Sequence, residues 1–191
     1  MNTTEPAQPL DPQLFKLAMR HLAGAVSVIT VGHGEDRTGF TATSVSSLSA
    51  EPPSILVCLN RTSSSWPALQ QHRSFCVNIL AQDQRHVADR FTGVDGAKGV
   101  ARYEGASWQP LVTGALSLAE ALTVIDCELE EVIIRHSHAI LIGKVRAVVS
   151  RPDASPLLYW HGAYRHLGAH DQAGVEPPAE EPKALKLVHS A

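Results

Sequence analysis

Short apolar runs separated by turn signals, with little helical sequence between them, constrain this chain more than any other feature. Ala25 to Val31 is β-branched, and the polar turn Gly32-His33-Gly34-Glu35-Asp36-Arg37 returns the chain into a second strand from Gly39 to Ser49. Glu51-Pro52-Pro53 breaks that strand. Ile55 to Leu59 and Ser74 to Leu80 are continuous apolar runs of the kind buried on both faces. Ile125, Cys127 and Leu129 alternate with Asp126, Glu128 and Glu130, the pattern of an antiparallel strand with one wet face. His138 to Ser150 and Leu157 to Trp160 complete the set.

Helical signals are few. Asp11 can cap a helix that starts at Pro12, carries Leu14, Phe15, Leu17, Ala18 and Leu22, and ends at Gly24. Trp66 to Gln71 forms a short helix, and Asp83 to Phe91 a second one capped by Asp83. Thr92 to Pro110, Gly-rich and aperiodic, is expected to cross the surface as a loop or lid. Parallel strands need crossovers of a dozen or more residues, and this chain joins most of its strands by turns. The expected fold is therefore mainly β, an antiparallel barrel with a few short peripheral helices. The domain is expected to span residues 11–168, with a flexible N-terminus over 1–10 and a Pro- and Glu-rich disordered tail over 169–191.

Lys plus Arg number 16 against 19 Asp plus Glu, a net charge of -3, so neither nucleic acid nor an anionic membrane is an expected partner. No segment has the roughly 20 apolar residues of a spanning helix, and Met1 to Leu10 lacks the apolar core of a signal peptide. Cys58, Cys76 and Cys127 sit in apolar runs with no metal-knuckle or dithiol spacing, which points to buried thiols in a reducing, cytoplasmic setting and to no metal site.

Six of the eleven residues from Gly39 to Ser49 are Ser or Thr. A buried strand does not carry so many hydroxyls for packing alone, because each unsatisfied one costs about 1–3 kcal/mol. Either this is a solvent-facing edge or something polar lies against it. The following loop favours the second reading. Arg61-Thr62-Ser63-Ser64-Ser65 gathers a cation and four hydroxyls at the start of a helix, a combination suited to phosphate.

The order of these segments resembles the flavin reductase-like family, the short-chain reductase components of two-component flavin monooxygenases. The resemblance rests on Ala23 to Thr30, Gly39 to Ser49 with Pro52-Pro53, Val57-Cys58-Leu59-Asn60-Arg61, Phe75 to Leu80, His138-Ala139-Ile140 and Tyr159 to Arg165. It implies an FMN-binding split β-barrel and a homodimer. By that resemblance Thr43, Ser44, Val45 and Ser46 line the isoalloxazine edge of FMN or FAD. Asn60, Arg61, Ser63, Ser64 and Ser65 hold the ribityl chain and phosphate. Asn78 completes the pocket, Phe91 lines it, and Tyr164 and Arg165 contact a dinucleotide.

His138 resembles the family histidine beside the nicotinamide of NADH or NADPH, and His136 is expected on the same strand face. The implied reaction is hydride transfer from nicotinamide to flavin, with reduced flavin delivered to a partner monooxygenase. No Gly-x-Gly-x-x-Gly, Gly-x-Ser-x-Gly or His-Glu-x-x-His is present to support other chemistry. The rival reading is an FMN-binding electron carrier or redox sensor without significant NADH oxidation.

Overall fold

A two-residue crossing decides the architecture. A computed structural model describes residues 10–151 and 153–168. The expected N-terminal extension, Leu10 apart, and the tail from 169 onward lie outside the described residues. Two consecutive strands, β3 (Thr38–Ala42) and β4 (Val45–Ala50), stand at opposite edges of one seven-stranded sheet. Between them, in order from β3 to β4, lie β2 (Ser27–Val31), β6 (Ser74–Ile79), β9 (Thr123–Arg135), β10 (His138–Ser150) and β5 (Pro53–Asn60), every neighbouring pair antiparallel.

Thr43 and Ser44 alone join the two edges. A chain reaches about 3.3–3.6 Å per residue, so Ala42 and Val45 stand within roughly 11 Å, whereas a flat seven-stranded sheet would hold its edges about 28 Å apart. The sheet therefore curls into a barrel split at residues 43–44. The single strand expected from Gly39 to Ser49 is two strands, and their interruption is the opening of the barrel.

All seven strands contribute to one hydrophobic cluster, the barrel interior. It holds Ile29, Val31, Val57, Phe75, Val77 and Leu141, with Leu69 added from α2 (Ser65–His72). A second cluster lies outside the barrel wall, where Val28 and Cys76 meet Val87, Ala88 and Phe91 of α3 (Arg85–Thr92). Strands β2 and β6 supply alternate residues to both clusters and are buried throughout, apart from half-buried Ile79. For β5 the expectation fails on one face. Ile55, Val57 and Leu59 are buried while Leu56 and Cys58 are half-buried, because the outer layer does not extend over this side of the barrel.

Residues 93–98 form the expected surface turn, with Val94 exposed, but the stretch over residues 99–110 is not an irregular loop. A 3-10 turn at Gly99–Tyr103 leads into β7 (Trp108–Pro110), which pairs with β8 (Leu116–Leu118). The Tyr103 hydroxyl donates to the Thr38 carbonyl at 2.6 Å and Trp108 Nε1 donates to the Tyr103 carbonyl at 2.9 Å. Phe91, Tyr103 and Trp108 pack their rings together, and the Arg102 guanidinium donates to the Gly39 carbonyl. Aromatic packing and buried hydrogen bonds fix this segment as a wall.

Asp126 also departs from expectation. Its neighbours Glu128 and Glu130 face water, but Asp126 is fully buried and accepts from the Thr113 backbone N–H at 2.8 Å and the Thr113 hydroxyl at 2.5 Å. α1 (Pro12–Met19) starts as expected, with Asp11 Oδ1 accepting from Gln13 N–H at 2.9 Å, but it ends before Gly24. α3 takes buried Gln84 in its cap position instead of Asp83, the Gln84 side chain accepting from Ala81 N–H at 2.9 Å. A small sheet of β1 (Gly24–Ala25), β11 (Leu158–Trp160) and β12 (Ala163–Arg165) stands beside the split. No helix among the described residues is long and apolar enough to cross a membrane.

Candidate functional site

Strand register brings three distant pieces of sequence to one rim of the barrel. Val45 pairs with Val57 on β5, and Asn60, at the end of the same strand, pairs with His138 of β10. The start of β4, the end of β5 and the start of β10 are therefore adjacent, and Arg61 N–H donates to the Ser137 carbonyl at 2.9 Å. Thr43 to Ser46, the Asn60 to Ser65 loop and His138 form one ledge beside the split.

Ser44 spends its hydroxyl on the fold, donating to the Cys58 carbonyl and accepting from Cys58 N–H, each at 3.2 Å. It thereby continues the β4–β5 ladder past the last regular pair. Ser46 is exposed, its hydroxyl on the Ser47 carbonyl at 3.2 Å. Thr43 is exposed and crowds Gly24: a Cβ at residue 24 would stand 3.2 Å from Thr43 Cβ, so glycine allows the close approach.

The Arg61 loop is held by an Asx turn, Asn60 Oδ1 accepting from both the N–H and the hydroxyl of Thr62 at 3.0 Å. Ser63 Oγ accepts from Ser65 N–H at 3.2 Å. Ser64 occupies the cap position of α2, exposed and without a side-chain capping bond. The exposed Arg61 guanidinium lies 5.9 Å from the centre of the Trp66 ring. Arg61 and Ser64 thus present a cation and a hydroxyl at a helix start. Ser65 does not join them: it is buried, with its hydroxyl 3.3 Å from that of Thr38.

His138 is exposed, its Nδ1 2.9 Å from the Ser137 hydroxyl. His136 is not on its strand face. It lies in the two-residue turn between β9 and β10 with φ 51°, so strand alternation does not apply to it. Asn78 and Phe91 are corrections as well. Asn78 is fully buried, its amide donating to the Val28 carbonyl at 3.1 Å and accepting from Leu118 N–H at 2.7 Å. Phe91 is enclosed in the aromatic cluster. Both serve the outer core, where buried polar and aromatic groups are consumed by their neighbours.

Two clefts flank Thr43 and share Tyr159 and Gly162. One, of 660 Å³, runs under the end of α1 past Lys16, Met19, Gly24, Val45 and His161. The other, of 830 Å³, is lined by Thr41, Arg85, Asp89, Tyr164 and Arg165. The Arg61 loop and His138 line neither cleft; they lie on the open ledge.

In the second cleft Arg85 lies 5.1 Å from the Tyr164 ring centre and pairs with Asp89 at 3.4 Å. Burial, reinforced by the hydrogen bond to Asp89, pushes the Tyr164 phenol up to about 12, so it remains a neutral donor. Arg165 is exposed and donates to the Tyr164 carbonyl at 3.1 Å. Sequence reasoning missed Arg85, Asp89, Tyr159 and His161. The i, i+4 spacing of Arg85 and Asp89 was the available signal for the first two.

Comparison with known proteins agrees with this geometry. The family model described as flavin reductase like domain matches residues 19–168. The chain is 38% identical over 184 residues to FMN reductase (NADH) RutF 1 of Methylorubrum extorquens (strain PA1), covering 94% of this chain and 89% of that one. It is 36% identical over 158 residues to FMN reductase (NADH) RutF of Escherichia coli (strain K12 / DH10B), covering 83% and 95%. Among solved structures, a flavin reductase domain protein from Arthrobacter sp. FB24 superposes with TM-score 0.73 at 33% identity, over 82% of this chain and 95% of that one. BorF, the flavin reductase component of a bacterial two-component tryptophan halogenase, gives 0.75 at 29%, over 82% and 98%. With its split barrel, its rim of hydroxyls and these matches, the chain belongs to the flavin reductase-like domain family.

Proposed function

We propose that this chain is an NADH-dependent flavin reductase, moving a hydride from nicotinamide to FMN or FAD and releasing reduced flavin to a separate monooxygenase. The observation that carries this reading is the convergence of the Thr43–Ser46 backbone, the Arg61–Ser64 loop and His138 on one rim. Relatives named FMN reductase (NADH) support the donor and the acceptor. BorF, the reductase of a two-component system, supports delivery of the product to a partner enzyme. The free thiols of Cys58, Cys76 and Cys127 support a reducing, cytoplasmic setting.

The residues present fit a phosphorylated flavin. Arg61 and Ser64 are exposed and able to bind its phosphate, with the start of α2 behind them. Backbone groups at 43–46 and the exposed Ser46 hydroxyl face the same rim and meet the polar edge of the ring system. When bound, the flavin supplies the two-electron chemistry. The chain supplies orientation and donors for the negative charge that accumulates on reduction. His138 positions the nicotinamide or tunes that charge, and Tyr164 and Arg165 bind the dinucleotide from the cleft side.

A homodimer completes the site. α1 buries none of its residues within one copy, and Leu14, Phe15 and Leu17 are each more than half exposed. An eight-residue helix with an uncovered apolar face is marginal alone, and a second copy provides the cover. The test is steady-state oxidation of NADH and of NADPH with FMN, FAD and riboflavin. A reductase consumes NADH at a rate that rises with added free flavin. A protein that purifies yellow and ignores added flavin is the electron carrier instead.

A further inference from the structure

We propose that His21 and His161 form a two-histidine site for a divalent transition metal at the rim of the cleft under α1. The residues are 140 apart in sequence, yet His21 Nδ1 and His161 Nε2 stand 3.2 Å apart. Backbone bonds set the two rings opposite one another. His21 N–H donates to the Ala18 carbonyl at 3.0 Å, just beyond α1, and His161 N–H donates to the Arg20 carbonyl at 3.1 Å. Trp160 Nε1 donates to the His21 carbonyl at 3.3 Å, a third link between the α1 end and the β11–β12 turn.

The ring geometry fits ligation of a shared metal more closely than an end-on N–H···N bond. An end-on hydrogen bond between two imidazoles of this N···N length would hold the ring centres roughly 5.5 Å apart. Two imidazoles sharing one metal at about 2.0–2.1 Å, about 90–109° apart, give N···N separations of roughly 2.9–3.4 Å and ring centres about 4.5–5.2 Å apart. The observed centres are 4.6 Å apart with perpendicular rings. The pair falls in the second range and not at the first distance.

The chemistry of the pair selects the ion. Imidazole nitrogen suits Zn²⁺, Ni²⁺ and Cu²⁺, whereas Mg²⁺ and Ca²⁺ require oxygen. Among the described residues no carboxylate lines this cleft, and Lys16 and Arg20 add positive charge, so water supplies the remaining positions. Among the described residues no group of three or more His, Cys, Asp or Glu is arranged for a metal. The site is therefore an open one with two protein ligands. A bound ion clips the N-terminal segment to the C-terminal hairpin and favours the native state.

Zn²⁺ titrated into the metal-free full chain by calorimetry tests this, with thermal melting in Zn²⁺ and in EDTA as a second readout. His21→Gln and His161→Asn are suitable variants: both residues are exposed, and asparagine accepts the left-handed φ of 53° at residue 161. His136→Asn, at φ 51° in another turn, is the control. We expect one Zn²⁺ per chain, at least tenfold weaker binding in each of the first two variants, full binding in the control and none of Mg²⁺. Absence of Zn²⁺ binding, or equal binding by all four proteins, overturns the assignment.

Discussion

Asp126 is a carboxylate withdrawn completely from water, its side chain held by Thr113 through the hydrogen bonds described above. Burial raises its pKa above the ordinary 3.8, and the Thr113 bonds offset only part of that rise. The native state therefore binds the proton more tightly than the unfolded chain. The stability contributed is full below the unfolded pKa and is lost as pH rises through the folded value. A carboxamide in place of the carboxyl stays neutral at every pH and keeps an oxygen to accept from Thr113. Asp126→Asn should gain in melting temperature relative to wild type as pH rises from below the ordinary carboxylate pKa toward neutrality, because the raised carboxyl ionises on that climb and the carboxamide does not; a constant offset would contradict the burial argument.

His138 belongs to the same scale. His138→Ala should slow NADH-dependent flavin reduction while leaving flavin affinity within a few-fold, measured by stopped-flow reduction and fluorescence titration. An unchanged reduction rate removes it from the mechanism. At this scale the sequence exposed identities but not occupations. Asn78, Ser65 and Phe91 have the right types for a flavin site, yet each faces the core. Nothing in the local pattern separates a serine on the ledge, such as Ser64, from its buried neighbour Ser65.

Among elements, the break at Thr43–Ser44 controls the rim, because it turns one hydroxyl-rich run into the two edges of a barrel. The strand pattern and most strand limits were legible, since turns and alternation are local signals. The break was not, because Ser and Thr suit an extended strand as well as a crossing, and only closure of the sheet distinguishes them. The wall formed by residues 99–110 was hidden for a related reason: it depends on tertiary contacts of Tyr103 and Trp108.

Ser44→Ala should cost about 1 kcal/mol, as Cys58 loses a partner for both backbone groups. Gly143 tests the strand that carries His138. A Cβ there would stand 2.5 Å from Phe75 Cζ and 2.9 Å from Cys127 Cβ, beside a register shift in β10. Gly143→Ala should lower stability by about 1–3 kcal/mol through overpacking, read as a lower urea midpoint at unchanged slope. A midpoint equal to that of wild type would show that the barrel wall yields more easily than its packing implies.

For the whole molecule, the dimer and the flavin site stand together. Phe15→Asp places a charge on the uncovered α1 face and should convert the dimer to monomer by light scattering, with loss of flavin reduction and little change in the melting of the barrel. A wild-type chain that is monomeric at micromolar concentration contradicts the dimer. The most direct test of the central claim is a crystal structure of the chain with FMN. It should show the ring system along the backbone of residues 43–46 and the phosphate on Arg61 and Ser64. FMN seated instead in the cleft of Arg85 and Tyr164, with the Arg61 loop empty, would contradict it.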